Sequence, residues 1–328
     1  MLRAPPAQPV HRPPPSNLQF AFDRVSLTMA PMLFSRQRVL LALLDRLGGT
    51  VAHTDFQKLL FLYTHEWESE PSYEFVPYHF GGFSFTSYAD KRRLTERGYL
   101  AENESEWELT ANGRTASRRE HDISARMQRF VEAIHDVRGD RLIAEVYRRH
   151  PYYAIRSRVA ARILTPAENA RVISARPTSR GPGLLTIGYE GKTLERYLNQ
   201  LIGAGVTVLC DVRRNPLSRK YGFSKSTLRQ ACEGVGIRYE HLPELGIASE
   251  DRRELEVQED YDSLFATYRR VSLPRQGAAL ARIRHWVECD GETVALTCFE
   301  AQPCQCHRHC VAEALATQGG TRLVPYHL

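Results

Sequence analysis

Apolar residues recur at helical spacing twice within the first hundred positions. Leu40, Leu41, Leu43, Leu44 and Leu47 predict an amphipathic helix that Gly48 and Gly49 close. Thr54 stands where a cap belongs, and Phe56, Leu59, Leu60, Leu62 and Tyr63 predict a second helix behind it. After the aromatic stretch YEFVPYHFGGFSF a third helix is expected over residues 87–97, ended by Gly98. Tyr99 and Leu100 then open a strand, and residues 107–110 return as its partner. Three helices followed by a hairpin is the order of a winged helix, here residues 31–120. Residues 121–164 read as a basic helical connector. Residues 165–183, rich in Pro, Gly and Ser, read as a linker.

From Leu184 the period changes. Segments LLTIGY, VTVLCDV, IRYEHL and VALTC are short, apolar and β-branched, and helical patterns separate them. A last helix is expected after Cys306, and RLVPY closes the chain as a strand. Alternating strands and helices predict an α/β fold over residues 184–328: a mostly parallel, Rossmann-like sheet flanked by helices, preceded by the winged-helix domain.

Composition narrows the setting. At 328 residues with 42% apolar content, the chain is long enough for two cores. Its apolar runs are too short to cross a bilayer, so no membrane partner is expected. Residues 1–30 carry many prolines and no apolar signal core, and read as a disordered leader. Seven cysteines, four of them crowded into residues 298–310, suit functional thiols in a reducing cytoplasm better than a disulfide framework. The net charge of +6 permits a polyanionic partner. Lys91, Arg92, Arg93 and Arg97 on the third helix are the expected DNA contacts, and a second copy of the chain is the other expected partner.

In a parallel sheet the strand C-termini share one edge, and four of them carry polar residues here. Gly188, Tyr189 and Gly191 form a turn before a helix, where close backbone approach and the helix N-terminus favour an anion. Asp211 ends the next strand, with Arg213 two residues on. Tyr239 and His241 share one face of the third strand. Cys298 and Glu300 follow the fourth, and Cys306, His307 and Arg308 begin the last helix.

These blocks, TIGYEG, DVRRNP with Phe223 and Ser224, RYEHLPELG, and CFE with Cys306, His307 and Arg308, resemble the DUF488 family in order and spacing. The resemblance implies an α/β domain over residues 184–328 and a site at these positions; the family's activity is itself open. The segment FVPYHFGGFSFTSYADKRRLTERGYL resembles the winged-helix-like region that precedes such domains, and is similar to Panacea-type antitoxin domains.

Three chemistries compete for the site. Cys304, Cys306, His307, His309 and Cys310 are metal-ligand types, but C-x-C-H-x-H-C is too compressed to converge on a tetrahedron, so no metal and no cofactor is expected. Cys306 could be a thiolate nucleophile lowered by the helix and Arg308, although no C-x₅-R phosphate loop surrounds it. Two carboxylates, Asp211 and Glu300, with His241 and His307 as acid–base partners, could cleave an N-glycosidic bond. The binding groups would be Gly188, Tyr189, Gly191, Arg213, Tyr239, Cys306 and Arg308. Joined to a winged helix, this leads to a DNA glycosylase acting on a damaged or modified base. The competing expectation is a DNA-binding regulator or defence-associated protein whose α/β domain senses a nucleotide or small anion.

Overall fold

The computed structural model describes residues 32–118, 124–134, 136–179, 181–248, 251, 255–318 and 323–328. The expected leader, residues 1–30, lies outside them. Leu40, Leu41, Leu43 and Leu44 are fully buried on α1 (Ser35–Arg46), which Gly48 and Gly49 end at φ of 95° and 87°. Strand β1 (Thr50–Ala52) leads into α2 (His53–Glu66). That helix starts two residues earlier than expected, so Thr54 lies within its first turn and Ala52 holds the cap position.

The aromatic stretch contains an antiparallel hairpin, β2 (Val76–Tyr78) with β3 (Gly81–Phe83). It precedes α3 (Phe85–Glu96), whose Ser84 cap accepts from the Ser87 N–H. Strand β4 (Glu106–Glu108) pairs antiparallel with β1, and Leu100 bridges to Leu109. The expected third helix is present, with a hairpin inserted before it; the returning strand forms too, but its partner is β1, and of the expected strand at Tyr99 and Leu100 only the isolated Leu100 bridge remains. Helix α4 (Ala111–Ser117) follows, then α5 (Ser124–Ala133), α6 (Gly139–Arg149) and α7 (Ala160–Ile163).

The expected linker contains a helix, α8 (Pro166–Ser174). The Thr165 hydroxyl accepts from the Glu168 N–H while the Glu168 carboxylate accepts from the Thr165 N–H. Pro166 is tolerated at the first helical position because its missing N–H has no partner there. The described residues from Phe34 to Leu328 form one compact unit, which contains both the helical part and the α/β part.

The α/β part runs β5 (Gly183–Gly188), α9 (Leu194–Gly203), β6 (Val208–Asp211), α10 (Lys225–Gly234), β7 (Arg238–His241), α11 (Gln258–Thr267), α12 (Gly277–Glu288), β8 (Thr293–Cys298), α13 (Arg308–Gln318) and β9 (Tyr326–His327). Among the described residues the strands order as β7-β6-β8-β5-β9, and every pairing is parallel. All of β8 is buried, as a central parallel strand covered on both faces must be. Leu184, Val208, Val294 and Leu296 pack against Leu280, Ile283 and Val311 from α12 and α13. Each such side chain contributes roughly 1.5–3 kcal/mol when fully buried. On the other side the Tyr197 hydroxyl of α9 donates to Thr297 Oγ1. The chain passes over the β8 position in going from β5 to β6 and returns to it later. The C-terminal ends of β5, β6 and β8 therefore meet at a topological switch point, where such sheets open a crevice.

Candidate functional site

At the end of β6, Asp211 is fully buried and all its capacity is used inside the protein. Oδ1 accepts from the Arg213 backbone N–H and from Nε; Oδ2 accepts from an Arg213 Nη and from the Tyr239 hydroxyl, both at 2.6 Å. Arg213 also donates to the Tyr189 hydroxyl and to the Phe223 carbonyl. Burial works against the Arg213 charge, but the hydrogen-bonded carboxylate outweighs it and holds its pKa above the ordinary value. Asp211 and Tyr239 are thus a structural pair behind Arg213, not a reacting pair. Tyr239 is 4% exposed, and burial followed by the Asp211 charge raises its pKa.

The turn after β5 does not offer its amides to an anion. The N–H groups of Tyr189 and Glu190 donate to the Phe299 carbonyl, and the Glu190 carboxylate accepts from the Ala301 N–H. A Cβ on Gly188 would sit 1.9 Å from the Glu300 carbonyl oxygen, so glycine is required there by the neighbouring chain and not by a ligand. Gly191 has φ of 70° and turns the chain toward α9. The start of α9 is already occupied. Its Thr193 cap accepts from Arg196, and Glu195 in the first turn is buried, with burial raising its pKa. The Glu195 carboxylate accepts from the Ser84 and Thr86 hydroxyls and the Thr86 N–H, so it serves the start of α3. These bonds tie α3 to the α/β part.

The end of β8 gathers a different cluster. The Cys298 thiol donates to Glu300 Oε2 at 3.4 Å, and its sulfur lies 3.8 Å from His307 Nδ1. His307 Nε2 bonds the Val212 carbonyl at 2.9 Å, which fixes the ring. Cys306 is buried beside Cys298, and burial pushes its thiol well above the ordinary value. Cys306 is therefore not a thiolate activated at an open helix start. Arg308, expected to hold a phosphate, is 1% exposed and donates to the carbonyls of Glu300 and Ala301. His241 is held between the Arg213 carbonyl and the Lys225 ammonium. Cys304 is exposed, and His309 bonds the Cys306 carbonyl and Arg269.

A cleft of about 480 Å³ opens over the ends of β5, β6 and β8. Of the expected site residues it is lined by Tyr189, Arg213 and Glu300; Cys298 and Phe299 add to it. Asp211, His241, His307, Tyr239, Cys306, Arg308, Gly188 and Gly191 are not part of its wall. Its cationic rim comes from the loop after β6, through Arg214, Arg219 and Lys220. That loop is pinned by its own bonds: the Ser224 hydroxyl bridges the Ser218 N–H and carbonyl, and the Lys225 N–H donates to Pro216. Arg214 and Arg219 are left exposed. Tyr189 stacks on Phe223 at 4.3 Å and meets Phe299 edge-on, and Phe299, 42% exposed, lines the cleft. A larger cleft of about 600 Å³ lies beyond Arg214 and Ile247, but Glu244, Asp251 and Asp260 line it and oppose an anion.

The third helix departs from expectation. Lys91 is buried, with Nζ donating to the carbonyls of Asn103 and Glu106 and meeting His53. It cannot reach a phosphate backbone. Arg97 lies over the Tyr99 ring. Arg92 and Arg93 remain exposed, and Arg92 reaches the Tyr221 hydroxyl of the cationic loop. The start of α3, which a recognition helix would put against bases, is covered through Glu195. The basic connector is largely paired: Arg148 with Glu168, Arg149 with Glu66 and Glu145, Arg162 with Asp140.

The residues that sequence reasoning passed over are Arg214, Arg219, Lys220 and Phe299. The signal for the three cations was present in DVRRNPLSRKYGF, where they follow a strand end within nine residues of Asp211. Among the described residues no helix is long and apolar enough to cross a membrane. Residues 193–315 match the family described as Domain of unknown function DUF488. Neither a curated protein nor a solved structure matches the chain.

Proposed function

We propose, from the premise that this chain carries a DUF488 domain at residues 193–315, that the cleft binds a nucleotide of a DNA strand and hydrolyses its N-glycosidic bond. The observation that carries this reading is Glu300 in the wall of a crevice whose rim is cationic and whose lip is aromatic. Those three features match the three parts of a nucleotide. Arg214, Arg219 and Lys220 suit the phosphate, the exposed Phe299 ring suits a base, and Glu300 lines the same cleft.

A strand of DNA is favoured over a free nucleotide by the continuation of charge. Arg92 and Arg93 of α3 extend the cations of the loop past Tyr221. The helical part then acts as one bank of a groove and not as an independent reader of the major groove. The target nucleotide would have to leave the base stack to enter the cleft.

One carboxylate does the work that two were expected to share. Glu300 takes a proton from the water attacking C1′, the C1′–N bond breaks, and the proton ends on the departing base. The products are a free base and an abasic sugar. Arg213 acts through its charge, held in place by Asp211. The test is incubation of the full chain with single-stranded and duplex oligonucleotides carrying damaged or hypermodified bases, followed by alkali to cut at abasic sites. Cutting of at least one substrate supports the reading. Binding of a nucleotide without base release from any of them would replace it with the sensor reading.

A further inference from the structure

The geometry points to a zinc-type metal site formed by Cys298 Sγ, Cys306 Sγ and His307 Nδ1. The ligand atoms of these three residues all lie within 4.8 Å of one another, and all three residues are buried. The expectation of no metal rested on the compressed C-x-C-H-x-H-C run. The fold removes that objection, because Cys298 arrives from the end of β8 and converges with two residues of the turn into α13. Cys304, His309 and Cys310 are not needed.

Distances fit the coordination. Zn–S of about 2.3 Å and Zn–N of about 2.0–2.1 Å in a tetrahedron put sulfur and nitrogen about 3.6 Å apart. The Cys298 sulfur and His307 Nδ1 are 3.8 Å apart. The histidine is also held as a ligand should be: with Nε2 on the Val212 carbonyl at 2.9 Å, Nε2 carries the proton and Nδ1 presents its lone pair toward the two sulfurs. Two thiolates and an imidazole are a borderline-soft donor set that selects zinc over magnesium or calcium. Binding sends two thiol protons to solvent and leaves the Cys₂His–Zn²⁺ group neutral overall.

Three protein ligands leave a fourth position, and Glu300 Oε2, 3.4 Å from the Cys298 sulfur, stands beside it. The site therefore borders the cleft. It stands independently of the glycosidic reading, since a metal can be held whether or not any base is released.

The test is metal content of the full chain, purified without chelator and with its thiols reduced. One zinc per chain is expected. Cys306→Ser and His307→Gln should lose it, while the exposed Cys304→Ser keeps it. Should those variants fail to fold, cobalt added to metal-free wild-type protein decides: thiolate-to-cobalt charge-transfer absorption is expected at one equivalent. A folded, reduced wild-type chain that neither carries zinc nor takes up zinc or cobalt overturns the proposal. So does a Cys298–Cys306 disulfide in freshly isolated protein, or metal lost from Cys304→Ser but kept in Cys306→Ser.

Discussion

Asp211 and Arg213 meet as a buried bidentate ion pair, Nε at 2.8 Å from one carboxylate oxygen and an Nη at 2.6 Å from the other. The pair turns a residue that reads as catalytic into one that positions a cation. Removing one partner of a buried pair leaves an uncompensated charge, a loss of about 3–5 kcal/mol. Asp211→Asn should therefore lower the urea midpoint strongly, and Glu300→Gln, in the cleft wall, should move it little. Equal midpoints for Asp211→Asn and wild type would return Asp211 to the reacting groups.

Arg92 and Arg93 are expected to touch phosphate and Lys91 is not. Each lost contact to duplex DNA lowers the salt slope of log K by about 0.9. Replacing Arg92 and Arg93 together by Ala should reduce the slope by about two, read from fluorescence anisotropy over a salt series. A slope unchanged within error would exclude α3 from the proposed DNA contacts.

Lys58 is fully buried, with Nζ on the Gly82 carbonyl, and burial pulls its pKa down to about 7 despite the nearby Asp55. The unfolded chain binds this proton near the ordinary value of 10.5, so between that pH and about 7 the unfolded state carries more protons. Stability from this group is thus lost as pH falls from 10.5 toward 7, and the full penalty remains below 7. Lys58→Met should stabilise the protein, and by more at pH 6 than at pH 9. Urea titrations at the two pH values check this; a pH-independent effect would mean that Lys58 stays charged in the fold.

The sheet was legible in the sequence because β5, β6 and β8 are apolar runs whose burial demands the parallel core they form, while β7, the edge strand, is polar and only partly buried. The helix in the expected linker was legible too, as the T-P-A-E capping box, but Pro and Gly nearby outweighed it. The site was only half legible. Motif letters located the strand ends, yet they do not say which side chains point into solvent. Asp211, Arg308 and the turn at Gly188 look like ligand-binding groups in one dimension and are consumed by internal hydrogen bonds in three. The metal-ligand cluster was hidden for the opposite reason: its first member is eight residues from its second, and only the strand-to-helix turn brings them together.

Under the proposed function, Glu300 works on a nucleotide held in the cationic cleft. The most direct test is release of free base, measured by chromatography, from a substrate the wild-type chain cuts, compared with Glu300→Gln at the same protein and salt concentrations. Proton transfer by a positioned carboxylate is worth roughly 10²–10⁴ in rate. A loss in that range is expected, with DNA affinity and urea midpoint unchanged. A Glu300→Gln protein that releases base at the wild-type rate would contradict that role.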